Sequence, residues 1–192
     1  MTEIFLFHHA QGLTAGVHEF AAQLRTAGHT VTAPDLYEGK TFATLDAGVA
    51  HASEVGFDTL LERARQSVAD APNEVVYAGF SLGVVPAQMF AQTRPGAKGA
   101  VLMYSCLPVS EFGTEWPRGV PVQIHGKDAD EYFAGDGDIE AARELVAQTE
   151  HAELFVYPGD EHLFADSSLS SYDDAAATLL MQRVIEFLDT IE

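Results

Sequence analysis

Ser81 lies in the pentapeptide Gly79-Phe80-Ser81-Leu82-Gly83, directly after the apolar run Val75-Val76-Tyr77-Ala78 and before a helix-like stretch. Gly-x-Ser-x-Gly between a strand and a helix places a serine on a tight, strained turn with its hydroxyl exposed. The flanking glycines leave room for the strand and helix backbones to approach. The chemistry this points to is nucleophilic attack on a carbonyl. A serine hydroxyl is a poor nucleophile at neutral pH, so it needs a base in hydrogen-bond reach and a carboxylate to orient that base.

Two later segments offer those groups, in the chain order nucleophile, acid, base. His162, in Tyr157-Pro158-Gly159-Asp160-Glu161-His162-Leu163-Phe164, follows a strand and is the expected base. Its neighbours Asp160 and Glu161 read as solvated charge. For the acid, His125-Gly126-Lys127-Asp128-Ala129-Asp130 supplies two carboxylates, and the residues alone leave Asp128 and Asp130 both open, with Asp136 and Asp166 as remoter choices. The developing oxyanion requires two donors. The backbone N–H of Leu82 is one, at a helix N-terminus. The other is expected from the first strand–helix loop between Gln11 and Leu13, with Gln11 the first candidate.

These groups need a frame that brings strand ends together. Ile4–Phe7 is a fully apolar run that reads as a buried strand, and His29–Ala33, Val75–Ala78, Gly99–Tyr104, Val120–His125 and Ala152–Tyr157 read as further strands. Helical patterns fall between them: Ala15–Ala27 behind a Thr14 cap, Ser53–Ala69, Val84–Gln92, Asp138–Thr149 with Asp138 as cap, and Asp173–Leu188. A helical turn or two is expected over Thr44–Ala50. Pro86 fits the first turn of its helix. Regular strand–helix alternation predicts one three-layer α/β domain over residues 1–192, with a mostly parallel sheet. Ligands of such sheets bind at the carboxyl ends of the strands, where Ser81, the acid and His162 all fall. The longest irregular stretch before His162 is Ser105–Arg118, which leaves no room for a large cap domain.

Ten Lys and Arg against 29 Asp and Glu give a net charge of -19. Such a surface repels phosphate backbones and anionic membranes, so neither nucleic acid nor a membrane is an expected partner. No apolar stretch approaches a membrane span, and the N-terminus lacks the basic region of a signal peptide. A lone cysteine, Cys106, rules out an intrachain disulfide and suits a reducing compartment, so a cytoplasmic monomer or homodimer is expected. His8 and His9 are adjacent on an extended segment and point opposite ways, a poor arrangement for shared metal ligation. No metal or cofactor is implied. His9, Tyr37, Phe80 and Phe164 are the expected substrate-binding residues, with Phe42, Leu107 and Trp116 as further candidate lining.

Phe7-His8-His9-Ala10-Gln11-Gly12, Pro34-Asp35-Leu36-Tyr37, the Ser81 pentapeptide, His125–Asp130 and Gly159–Phe164 together resemble the dienelactone hydrolase family of α/β-hydrolases, over nearly the whole chain. The resemblance implies a compact hydrolase of esters or lactones without a cap domain, with Ser81 as nucleophile and His162 as base. It also selects Asp130, since the family's acid usually falls five residues beyond the position of His125. Two departures stand out. The namesake enzymes use a cysteine nucleophile where this chain has Ser81, and they bind a substrate carboxylate with arginines, one of them at the place of Asp166. A neutral ester, lactone or thioester is therefore the expected substrate. Acyl transfer or amide hydrolysis on the same triad, and a non-catalytic protein that keeps the fold, are the alternatives.

Overall fold

The computed structural model describes residues 1–191. Six strands, β1 (Glu3–Phe7), β2 (Thr30–Thr32), β3 (Val76–Phe80), β4 (Gly99–Met103), β5 (Val122–Lys127) and β6 (Ala152–Tyr157), form one sheet in the order β2-β1-β3-β4-β5-β6. Every pairing is parallel. The strands connect through α1 (Ala15–Thr26), α2 (Leu45–Val55), α3 (Phe57–Ser67), α4 (Val84–Thr93) and α5 (Asp138–Gln148), and α6 (Asp174–Asp189) closes the chain.

Period-two alternation splits the strand side chains into two cores. Phe5, Phe7, Tyr77, Leu102 and Ile124 face α2 to α5, whereas Ile4, Leu6, Val76, Val101 and Met103 face α1 and α6. Apolar side chains are needed on both faces of the central strands, which is why β1, β3 and β4 read as apolar runs, whereas the edge strands β2 and β6 keep exposed positions.

Several boundaries differ from expectation. The helical turn or two over Thr44–Ala50 is the start of an eleven-residue helix, capped by Thr44 Oγ1 on the Ala47 N–H. Gly56, at φ 87°, separates it from α3, so Ser53 belongs to α2 and not to the helix that follows. Asp138 does not cap α5. Gly137 holds that position, and Asp138, one residue inside, accepts from Ser105 Oγ and the Cys106 N–H. Asp173 is a genuine cap, accepting from the Ala176 N–H.

The chain passes from β1 to β2 on one side and returns to place β3 on the other. The connections leaving β1 and β3 therefore diverge to opposite faces, and the strand ends there form the crevice in which open α/β sheets bind ligands.

Candidate active site

β3 ends at Phe80, and the next residue, Ser81, has φ 49°. A non-glycine residue in the left-handed region stores roughly 1–2 kcal/mol of backbone strain. The turn Ser81–Gly83 then feeds directly into α4. The tightness depends on both glycines: a Cβ on Gly79 would lie 2.1 Å from the Gly83 carbonyl oxygen, and one on Gly83 2.3 Å from that of Phe7.

His162 Nε2 lies 2.9 Å from Ser81 Oγ, and His162 Nδ1 lies 2.6 Å from Asp130 Oδ2. An ionised carboxylate only accepts, so the imidazole proton sits on Nδ1 and the Nε2 lone pair faces the serine hydroxyl. Asp130 is fully buried, and its other oxygen accepts from the Tyr132 N–H at 3.0 Å. Asp128 has a different task. It turns Oδ1 to the Gly159 N–H at 3.0 Å, while its own N–H and that of Ala129 donate to the Tyr157 and Gly159 carbonyls. The loop carrying Asp130 is thereby pinned to the loop carrying His162.

Further contacts fix the histidine loop. Leu163, just after His162, has φ 60°. The Ala165 N–H donates to the hydroxyl of buried Tyr104, whose ring lies 5.6 Å from that of His162. Glu161 is not merely solvated: with Asp173 it accepts from buried Lys127 Nζ, each at 2.7 Å. The half-exposed ring of Tyr132 lies 4.8 Å from the His162 ring, on the solvent side.

The four expected substrate-binding side chains are core residues, which corrects that reading. Phe80 packs against Phe20 and Tyr104, Phe164 against Tyr104 and Tyr157, and Tyr37 against His8 and His51. His9 is buried on the Phe80 side while its neighbour His8 packs on Tyr37, so the two rings do point opposite ways. His8 Nδ1 donates to the His9 carbonyl and Nε2 accepts from the Leu36 N–H. Burial pulls its pKa down to about 4 despite the His9 carbonyl. Among the described residues no group of three His, Cys, Asp or Glu side chains could hold a metal ion.

The cleft beside His162 has a volume of about 890 Å³ and is lined instead by Phe42, Leu45, Leu163, Leu169 and hydroxyl side chains such as Thr41 and Ser170. Of the candidate lining residues Phe42 is there, whereas Trp116 is buried elsewhere with Nε1 on the Val120 carbonyl. Among the described residues no Lys, Arg, Asp or Glu lines this cleft. Gln11 is at its edge, but the Gln11 backbone N–H donates to His9 Nδ1 at 3.2 Å and its side-chain amide to the Phe42 carbonyl. Neither Gln11 donor is directed at Ser81 in this state. Asp166 also lies away from the cleft surface, buried against His9.

No helix among the described residues is long and apolar enough to cross a membrane. No curated protein sequence matches the chain significantly. Solved structures do share its fold. A dienelactone hydrolase-like promiscuous phosphotriesterase from metagenomic libraries superposes with a TM-score of 0.77 at 16% identity, over 100% of this chain and 87% of that one. Thermogutta terrifontis esterase 2, in a form phosphorylated by paraoxon, superposes with a TM-score of 0.63 at 19% identity, over 97% and 81% of the two chains. These neighbours show the α/β-hydrolase fold. The profile of the dienelactone hydrolase family matches residues 2–192, and the chain therefore belongs to that family of hydrolases.

Proposed function

We propose that this protein is a serine hydrolase that cleaves small, neutral carboxylic esters or lactones through an acyl-enzyme. The observation that carries the reading is the continuous path from Ser81 Oγ to His162 to Asp130, at 2.9 and 2.6 Å. His162 takes the serine proton as Oγ attacks the carbonyl carbon. The oxyanion is met by the Leu82 N–H, at the start of the turn into α4, and by a second N–H of the first loop. Protonation by His162 releases the alcohol, and in a lactone that alcohol stays attached to the acyl chain. Water activated by the same histidine then frees the acid.

The uncharged cleft supports a neutral substrate, because a carboxylated one would lose its hydration without gaining a cation. Cys106 is a poor competitor for the nucleophile's role. Burial, aided by the nearby Asp138 charge, pushes its thiol up to about 12.

The test is hydrolysis of p-nitrophenyl esters and simple lactones by the unmodified protein and by Ser81→Ala, with labelling by paraoxon alongside. Loss of turnover and of the diethylphosphoryl adduct in the variant is the expected result. Turnover or labelling that survives the substitution would remove Ser81 from the mechanism.

A further inference from the structure

Asp166 is 3% exposed, yet it is a full hydrogen-bond hub. Its Oδ2 accepts from His9 Nε2 at 2.7 Å and from the Thr14 hydroxyl, and its Oδ1 accepts from the Ser168 N–H at 2.8 Å and the Ser168 hydroxyl at 2.6 Å. The two hydroxyls in turn accept from the first amides of α1: Thr14 Oγ1 from the Val17 N–H at 3.3 Å, Ser168 Oγ from the Gly16 N–H at 3.1 Å. The carboxylate thus sits against a helix N-terminus, where the helix dipole favours a negative charge. Its approach is so close that a Cβ on Gly16 would lie 1.7 Å from Oδ1.

The consequence runs through His9. A carboxylate at Nε2 holds the ring proton there, which leaves Nδ1 as an acceptor, and Nδ1 receives the Gln11 N–H. The His9 carbonyl is held at the same time by the Gly12 N–H at 3.0 Å and by His8 Nδ1 at 2.8 Å. Peptide planarity then sets the direction of the remaining amides of this turn. The same Asp166 stands four residues after His162, on the loop that carries the base.

We propose that Asp166 and His9 are a positioning pair: they lock the loop after β1, which presents an oxyanion donor, to the loop that carries His162, so that donor and base keep one spacing about Ser81. The pair touches no substrate. Its catalytic consequence rests on the hydrolase reading above, but its geometry does not. A loop displaced by about 1 Å costs roughly 100-fold in rate, and a donor used only by the oxyanion acts on the transition state and not on ground-state binding.

Asp166→Asn should therefore lower kcat on a p-nitrophenyl ester about 10- to 100-fold, per site titrated with paraoxon, with KM changed less than about threefold. Affinity for an alkyl boronic acid, which presents a tetrahedral oxyanion, should fall by the same factor. Thr14→Val, which removes one hydroxyl donor from Asp166, should move both quantities in the same direction by less, and serves if Asp166→Asn fails to fold. Unchanged kcat per titrated site, or a change in KM alone, would overturn the positioning role and leave Asp166 a purely structural residue. Independently of turnover, the ¹⁵N spectrum of the unmodified protein should show His9 with a protonated Nε2 and an unprotonated Nδ1. The opposite tautomer would overturn the pair even in an active enzyme. The expected tautomer in a protein without Ser81-dependent turnover would leave the pair standing and sink the hydrolase reading instead.

Discussion

His162 Nδ1 is 2.6 Å from Oδ2 of Asp130, a carboxylate with no exposed surface, whereas Asp128, two residues earlier, spends its side chain on the Gly159 N–H. The two acids differ in kind. Removing the charge at Asp130 leaves the ring free to put its proton on Nε2, against the serine, where it cannot act as a base. Asp130→Asn should lower kcat by about three to four orders of magnitude with KM nearly unchanged. Asp128→Asn keeps an acceptor for Gly159 and should stay within about threefold of the unmodified kcat. Steady-state hydrolysis of one p-nitrophenyl ester by both variants decides it. A larger loss at Asp128 would reverse the assignment.

The backbone strain at Ser81 makes a separate prediction about stability. At φ 49° an alanine keeps the left-handed penalty, while a glycine escapes it. Part of that relief is offset by the greater freedom of glycine in the unfolded chain. Ser81→Gly should therefore be more stable than Ser81→Ala by about 1 kcal/mol in urea unfolding. Equal midpoints would mean that the turn relaxes once the serine is gone. Both variants should lack ester turnover.

How much of this was legible before the structure follows from the range over which each signal acts. The turn that holds Ser81 is encoded locally, by two glycines and a preceding apolar strand, and β1, β3 and β4 announce themselves as apolar runs, whereas the edge strand β2 is a Thr-Val-Thr alternation. Sequence alone does not separate Asp130 from Asp128, because two carboxylates two residues apart are equivalent until the loop geometry aims one at His162. Adjacency to a motif does not put an aromatic side chain in the pocket. Phe80 immediately precedes Ser81, but as the last residue of β3 it faces α1 and α6, inside the core. Asp166 falls, by the resemblance, at the place of a substrate-binding arginine, yet it is buried. Its partner His9 lies 157 residues earlier, and no local pattern signals such a pairing.

Acid titration should expose the Asp166 hub. Burial alone would raise this carboxyl, but the hydrogen bonds from His9, Ser168 and Thr14 outweigh it and hold the group at about 2. A folded pKa below the unfolded value of 3.8 gives stability that is present above about pH 4 and lost as the pH falls towards 2. The contribution is about 2 kcal/mol. The difference in unfolding free energy between the unmodified protein and Asp166→Asn should therefore be constant near neutrality and shrink by about that amount between pH 4 and 2. A difference independent of pH would mean that Asp166 is not ionised in the native protein.

Lys127 presents the opposite sign. Its Nζ is buried, which disfavours the charge, but hydrogen bonds and attraction from Asp173 and Glu161 prevail and raise its pKa. The stability it supplies is therefore complete below the ordinary lysine value and fades as the pH rises through the raised one. The same ammonium joins the end of β5, the residue before His162, and the cap of α6, and it lies 5.1 Å from the Phe164 ring centre. Lys127→Met keeps the packing of the stem but loses both charged hydrogen bonds. Glu161 and Asp173 are partly exposed and regain water, so the loss should be about 2 kcal/mol and not the 3–5 kcal/mol of a buried pair broken on one side. Because the tie ends beside His162, the base of the proposed mechanism, kcat should also fall several-fold while KM holds. Urea unfolding at pH 7 and at about pH 11.5, above the ordinary lysine value, with ester kinetics at pH 7, tests both halves. A variant as stable and as active as the unmodified protein would show that the two backbone bonds joining Asp128 and Ala129 to the histidine loop are enough to place His162.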